Sequence, residues 1–267
     1  MEKSFEKFDF KKRLNSMLKV DFRRMFTMPF LYIVIGITLV VPILIFVMTS
    51  MMEGTVTVDP TTGKETIMTG FESVWQALGA LPSSEATLNL DLVSMCNINL
   101  IFFAIAIVVC IFVSADFKSG YAKNLFTMRA SKIEYVISKT LTFFVSGTIM
   151  ILAYFIGSLI GGAIASLNFQ LVGFTLTNVI MCLLAKIFLL LVFTAIYLVM
   201  SVIGKHKTWL SMVLSLVVSM LLFMMIPSIS PLTSTIINVA LSLASGVIFC
   251  TGIGAISNAI LKKTSLV

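Results

Sequence analysis

Along this chain, long uninterrupted apolar runs are separated by polar connections, and the runs lack the polar alternation of a barrel wall. A helix that crosses the hydrocarbon core needs about 20 apolar residues at roughly 1.5 Å each. Six such segments can be delimited, at 30–50, 92–114, 140–166, 178–203, 209–226 and in a last run ending at Leu261. The pattern predicts an all-α membrane protein with six transmembrane helices, residues 1–267 forming one transmembrane domain. Ahead of the first run the rhythm changes. Leu14, Met17, Leu18, Phe22, Met25 and Phe26 recur at helical spacing, with Lys11, Lys12, Asn15, Lys19 and Arg23 opposite them. This predicts an interfacial helix within 1–28, ended by Pro29, serving as a lipid anchor and topology signal or as a contact for a cytosolic partner.

The connections carry their own signals. In the loop 51–91, TVTV and ETIM flank a turn-rich stretch and predict a hairpin, and Phe71, Val74, Trp75 and Leu78 share one face of a short helix. This loop is expected to pack over the outer mouth of the bundle, and its excess of acids could also attract a cationic substrate. In the loop 115–139, Gly120 breaks the chain before a short amphipathic helix at 121–126. Ser131 and Glu134 then form a capping box, so the third helix starts before it enters lipid. The last run exceeds one span. A short re-entrant helix capped by Ser230, with Pro231 at its first position and reaching about residue 240, would leave 241–261 to cross; one long tilted helix is the alternative.

Composition removes whole classes of protein. Of 267 residues, 58% are hydrophobic and 12% charged, against about 25% charged in an ordinary soluble domain. A water-soluble globule is excluded, and little chain remains for a separate soluble catalytic unit. The net charge of +7 is sorted by position. Seventeen of the 19 Lys and Arg precede the first run, lie in 115–139, or follow the fourth and sixth runs. The 51–91 loop holds six acids and Lys64 alone, and Lys186 lies within a span. The positive-inside rule then puts both termini in the cytoplasm, and the cations record topology rather than a nucleic acid surface. With 29 residues before the first run, no cleavable signal is expected.

Few residues carry candidate chemistry. A lysine at mid-bilayer costs about 2.5–3.5 kcal/mol on insertion scales, so Lys186 either snorkels or serves a structural role, or faces a cavity as a contact for substrate or for a second subunit. Asn97, Asn99 and Asn258 also need partners in lipid and could line the same pathway. The predicted spans hold no Asp or Glu, which argues against a proton-coupled carrier and a carboxylate protease, and a single histidine cannot furnish a zinc site. Cys96, Cys110, Cys182 and Cys250 have no metal spacing and read as core thiols. Gly157 with Gly161, Ser158 with Gly162, and Ser242 with Gly246 allow helices to approach closely. Gly63-Lys64 fails the spacing of a phosphate-binding loop, and no such loop occurs elsewhere.

The segment ADFKSGYAKNLFTMRASKIEYVISK carries a family resemblance. Asp116, Gly120, Lys123-Asn124-Leu125, Ser131-Lys132 and the pair Tyr135 and Lys139 follow the pattern of the permease subunit of type-2 ATP-binding-cassette exporters. Met128 departs from it, where a proline is common. The entry helix, six spans and cytosolic helix after span two extend the resemblance over the whole chain. It implies a permease without enzymatic activity, in the bacterial cell membrane, paired with an identical or different second permease subunit. Each would dock a cytosolic ATPase that holds ATP and Mg, with no cofactor on this chain. Gly120, Tyr121, Lys123, Asn124, Leu125, Phe126, Met128 and Arg129 would form the docking surface, called the coupling helix. Among such exporters it is similar to those of bacteriocins, lantibiotics or phenol-soluble modulins, which implies an amphipathic peptide as cargo. A lipid, drug or ion cargo, and a non-transporting membrane scaffold or assembly factor, are the alternatives.

Overall fold

The computed structural model describes residues 10–52, 56–58, 65–67, 71, 73–79, 97–127, 132–205, 207–223 and 225–263. Among these, the elements in chain order are α1 (Phe10–Thr27), α2 (Pro29–Met52), the strands β1 (Val56–Val58) and β2 (Glu65–Ile67), and a 3-10 turn at Val74–Ala77. A second 3-10 turn (Ile98–Leu100) leads into α3 (Ile101–Lys118), followed by α4 (Tyr121–Thr127), α5 (Lys132–Ile164), α6 (Leu176–Gly204), α7 (Thr208–Phe223), α8 (Ile226–Ile229) and α9 (Ile236–Lys263). The chain is an all-α protein apart from the antiparallel β1–β2 ribbon, whose register pairs Thr57 with Thr66.

Among the described residues, five helices are long and apolar enough to cross a membrane: α2, the run from Ile98 to Lys118, α5, α6 and α9. The chain is therefore a multi-pass membrane protein. The fifth predicted span is shorter than expected, because α7 ends at Phe223 after 16 residues. Pairwise packing gives the direction of each helix. Gly157 and Gly161 of α5 press on Leu39 and Ile43 of α2, so those two run parallel. Along α3 and α6, Phe102 stacks on Phe193 and Cys110 meets Ser201, again parallel. Phe112 against Phe143 and Asp116 against Tyr135 set α3 antiparallel to α5. Helix α7 returns along α6, with Ser211 beside Gly204 and Tyr197 bonded to Ser219. Asn178 meets Ser234, and Leu191 meets Gly246, so α9 runs parallel to α6. Hence α2, α5 and α7 point one way, and α3, α6 and α9 the other.

The small residues serve packing inside the chain. A Cβ at Gly157 would overlap the Leu39 carbonyl oxygen, and one at Gly161 would stand 2.7 Å from the Ile43 Cα. At Gly246 it would stand 2.9 Å from the Leu191 Cβ. Such contacts let backbones approach where lipid offers no hydrophobic drive for association.

Several expectations need correction. The predicted re-entrant helix followed by a span at 241–261 is replaced by one helix beginning at Ile236. Its start is set by Thr235, whose backbone N–H and hydroxyl both donate to the Asn238 side chain. The described part of the second span begins at Ile98 and continues to Lys118, past the predicted end at Ser114. The short helix predicted around Trp75 is a single 3-10 turn, although Phe71, Val74, Trp75 and Leu78 are all buried as its pattern required. The hairpin's turn at 59–64, Cys96, Ser131 and His206 lie outside the described residues.

The apolar face of α1, expected to anchor in lipid or to meet a cytosolic partner, packs in part on the chain's own helices. Met17, Asp21 and Met25, each four residues apart, are buried, Asp21 against Ser138 and Lys139 near the start of α5, and Leu14, Leu18, Phe22 and Phe26 are half-buried.

Candidate functional site

Two buried polar centres stand at opposite ends of the bundle. The first gathers residues of α1, α3, α4 and α5. The Lys139 ammonium lies 2.7 Å from Asp21 Oδ1 and 2.6 Å from Asp116 Oδ2. Ser138 donates to Asp21 Oδ2 at 2.6 Å, and the Tyr135 hydroxyl donates to Asp116 Oδ2 at 3.1 Å. Arg24 completes the group at 2.7 Å from Asp116 Oδ1. Two carboxylates and two cations balance, which is the condition under which charges withdrawn from water persist in an interior.

Aromatic rings line the same centre. The Arg24 guanidinium sits 4.2 Å above the Tyr121 ring centroid, and Lys139 sits 4.2 Å from that of Phe112, both within cation–π range. Burial pushes the Tyr121 hydroxyl above its ordinary pKa, and the negative fields of Asp21 and Asp116 add to this against the opposing Arg24. For Arg24, burial is the largest single influence and lowers its pKa. Asp116, Tyr121 and Asp21 together outweigh it, and the net shift is upward.

This centre fixes the short helix α4. Gly120 adopts φ +73°, the left-handed conformation that glycine takes without strain, and turns the chain out of α3. Ala122 is buried, Tyr121 is half-buried under Arg24, and Phe126 packs edge-on against Tyr135 at 5.5 Å. Leu125 is half-buried, while Lys123 and Asn124 are exposed on the outward face. Met128 and Arg129, predicted for the same surface, lie outside the described residues.

Asp116, Tyr135 and Lys139 therefore meet in space. Asp21, Ser138, Arg13 and Arg24 were missed as site residues. The available signal was Asp21 itself, an acid four residues from Met17 and from Met25 on the apolar face of α1. Glu134, read as half of a capping box whose Ser131 lies outside the described residues, has a buried carboxylate 3.0 Å from Arg13 of α1.

The second centre surrounds Lys186, whose Nζ donates to Asn99 Oδ1 at 2.7 Å and to Ser230 Oγ at 3.0 Å. The side chain is fully buried, so the snorkelling reading is corrected. Asn97 starts the 3-10 turn that presents Asn99, and its Oδ1 accepts the Asn99 backbone N–H at 2.9 Å. Asn258 is not part of this centre. It lies near the far end of α9, 24 residues along the chain from the Ser234 that abuts α6, or roughly 36 Å at 1.5 Å per residue. Asn97, Asn99 and Lys186 thus come together, and Asn258 stands apart.

Cys110 is buried between Ser201 and Ser215, Cys182 is buried near Ser230, and Cys250 is half-buried against Leu191. Among the described residues no three His, Cys, Asp or Glu side chains gather as a metal site.

Fold and site together define a class, that of helical multi-pass membrane proteins with a charge-balanced buried centre at one end. No known family, curated protein or solved structure matches the chain.

Proposed function

We propose that the chain is the permease subunit of an ATP-driven exporter of a hydrophobic or amphipathic cargo, an amphipathic peptide such as a bacteriocin or toxin fitting best. It crosses the bacterial cell membrane six times with both termini cytoplasmic and works beside a second permease subunit. The alternating directions of α2, α3, α5, α6, α7 and α9 support this count, α7 with α8 making the return that α9 needs to start beside the start of α6.

The observation that carries the proposal is the ionic centre formed by Asp21, Arg24, Asp116 and Lys139. A seven-residue helix on a flexible loop could not pass a displacement to the bundle. Helix α4 is instead wedged by Tyr121 and Phe126 against that centre, which joins α1, α3 and α5. A docked ATPase that moved α4 would move three helices with it. Lys123 and Asn124, exposed on α4, are the residues placed against the ATPase.

The test is co-purification of the full chain with a cytosolic ATPase from its own cell, followed by ATP hydrolysis with and without amphipathic peptides. The proposal expects a stable complex whose hydrolysis rises with peptide. A chain that forms no ATPase complex refutes the exporter and leaves a membrane scaffold.

A further inference from the structure

The two lysines buried deepest among the described residues sit in opposite electrostatic settings. Lys139 faces Asp21 and Asp116. Lys186 meets no carboxylate among the described residues, and its two acceptors, Asn99 Oδ1 and Ser230 Oγ, are both neutral oxygens. An ammonium carries three N–H donors, and among the described residues one donor and the positive charge have no partner. A buried charge without an opposite charge is costly in a membrane interior, and such residues commonly mark a path for a solute.

The surroundings hold the ammonium in place. Asn99 is presented by the turn that Asn97 starts, and Ser230 is fixed at the end of α8 by donating to the Ile226 carbonyl at 3.1 Å. Two separate elements thus converge on the cation that α6 presents. One helical turn earlier on α6, Cys182 Sγ lies 3.6 Å from the Ser230 carbonyl and 3.9 Å from that of Leu78. Gly79 approaches the same turn so closely that a Cβ there would stand 3.2 Å from the Leu232 nitrogen. Leu78 and Gly79, which follow the Val74–Ala77 turn, therefore pack on Cys182 and on the chain around Ser230, beside Lys186.

We infer that Lys186, Asn99 and Ser230 form an occluded anion site that takes the carboxylate of an amphipathic ligand, admitted when the segment carrying Trp75 and Leu78 lifts from Ser230. A carboxylate supplies the missing unit charge and accepts the third ammonium N–H. The Ser230 hydroxyl can turn from Ile226 to donate to it as well. The inference rests on the exporter reading in taking this carboxylate as the recognised end of the cargo.

The experiment uses the full chain in phosphatidylcholine nanodiscs and two pairs of probes: an amphipathic peptide with a free C-terminal carboxylate against its C-terminal amide, and laurate against lauramide. The acid of at least one pair is expected to bind about tenfold more tightly than its amide, the scale of one charge-assisted hydrogen bond. Lys186→Met should abolish the difference. A preference in the peptide pair alone assigns a peptide terminus, and one in the laurate pair assigns a fatty acid.

Equal binding of acid and amide in both pairs overturns the inference, as does a preference that survives Lys186→Met. Should that variant fail to fold, Ser230→Ala keeps the ammonium and carries the same test. Several-fold weaker acid binding with unchanged amide binding is then expected, and an unaltered preference sinks the site. No step needs the ATPase, so failure of the exporter reading and failure of this site are told apart.

Discussion

Lys139 and Asp116 form a 2.6 Å ion pair in which neither side chain is exposed, although they lie 23 positions apart on two different helices. Asp21 approaches the same ammonium from α1, so one buried cation ties three helices together. Removing it leaves two buried carboxylates with Arg24 as their remaining cation. Lys139→Met should lower stability by about 3–5 kcal/mol, as broken buried pairs do. The Asp21→Asn, Lys139→Met double variant restores the charge balance and should lose less than the sum of the single variants. Unfolding in detergent measures both, and strict additivity would contradict the shared centre.

The contact between α2 and α5 depends on the absence of a side chain at Gly157. Gly157→Ala forces the Leu39 backbone to yield and should cost about 1–3 kcal/mol through overpacking. Gly36 on α2 has nothing within 4 Å of an added Cβ. Gly36→Ala should therefore be neutral or stabilising by up to about 1 kcal/mol, the helix-propensity difference. Melting temperatures of the two variants, compared in one detergent, check the contrast.

Lys123 and Asn124 are exposed on α4. Lys123→Glu with Asn124→Ala should abolish or strongly weaken ATPase co-purification while the melting temperature of the permease stays within about 0.5 kcal/mol equivalent, as for ordinary surface changes. A variant that loses its fold along with its partner would show that α4 serves stability alone.

Tyr121 gives the centre a pH dependence on the alkaline side. Its pKa is raised in the fold, first by burial and then by Asp21 and Asp116, so the folded chain holds the proton more tightly than the unfolded one. The stabilisation is complete below the ordinary tyrosine value near 10 and is lost as pH rises through the higher folded value. Stability should fall with pH above about 10, and Tyr121→Phe should flatten that fall. A pH series of melts on both chains decides the point, and identical slopes would discount Tyr121.

The sequence by itself determined the solvent of this protein, because runs of about 20 apolar residues satisfy their backbone polar groups only as helices in lipid. It also determined the break at Gly120, the ribbon at β1 and β2, the burial of Phe71, Val74, Trp75 and Leu78, and the close approach at Gly157 and Gly161, since each is a local property of spacing or of a missing Cβ. Tertiary structure alone decided the partners of the charges. Asp21 is an ordinary acid on an amphipathic helix until α1 packs on α5, and the same packing brings Arg13 to the Glu134 carboxylate. Lys186 could snorkel from an isolated helix, but Asn99 and Ser230 enclose it from elements 87 and 44 positions away. Periodicity says which face of a helix is apolar; which neighbour covers that face, and which charge it brings, depends on contacts that no local pattern records.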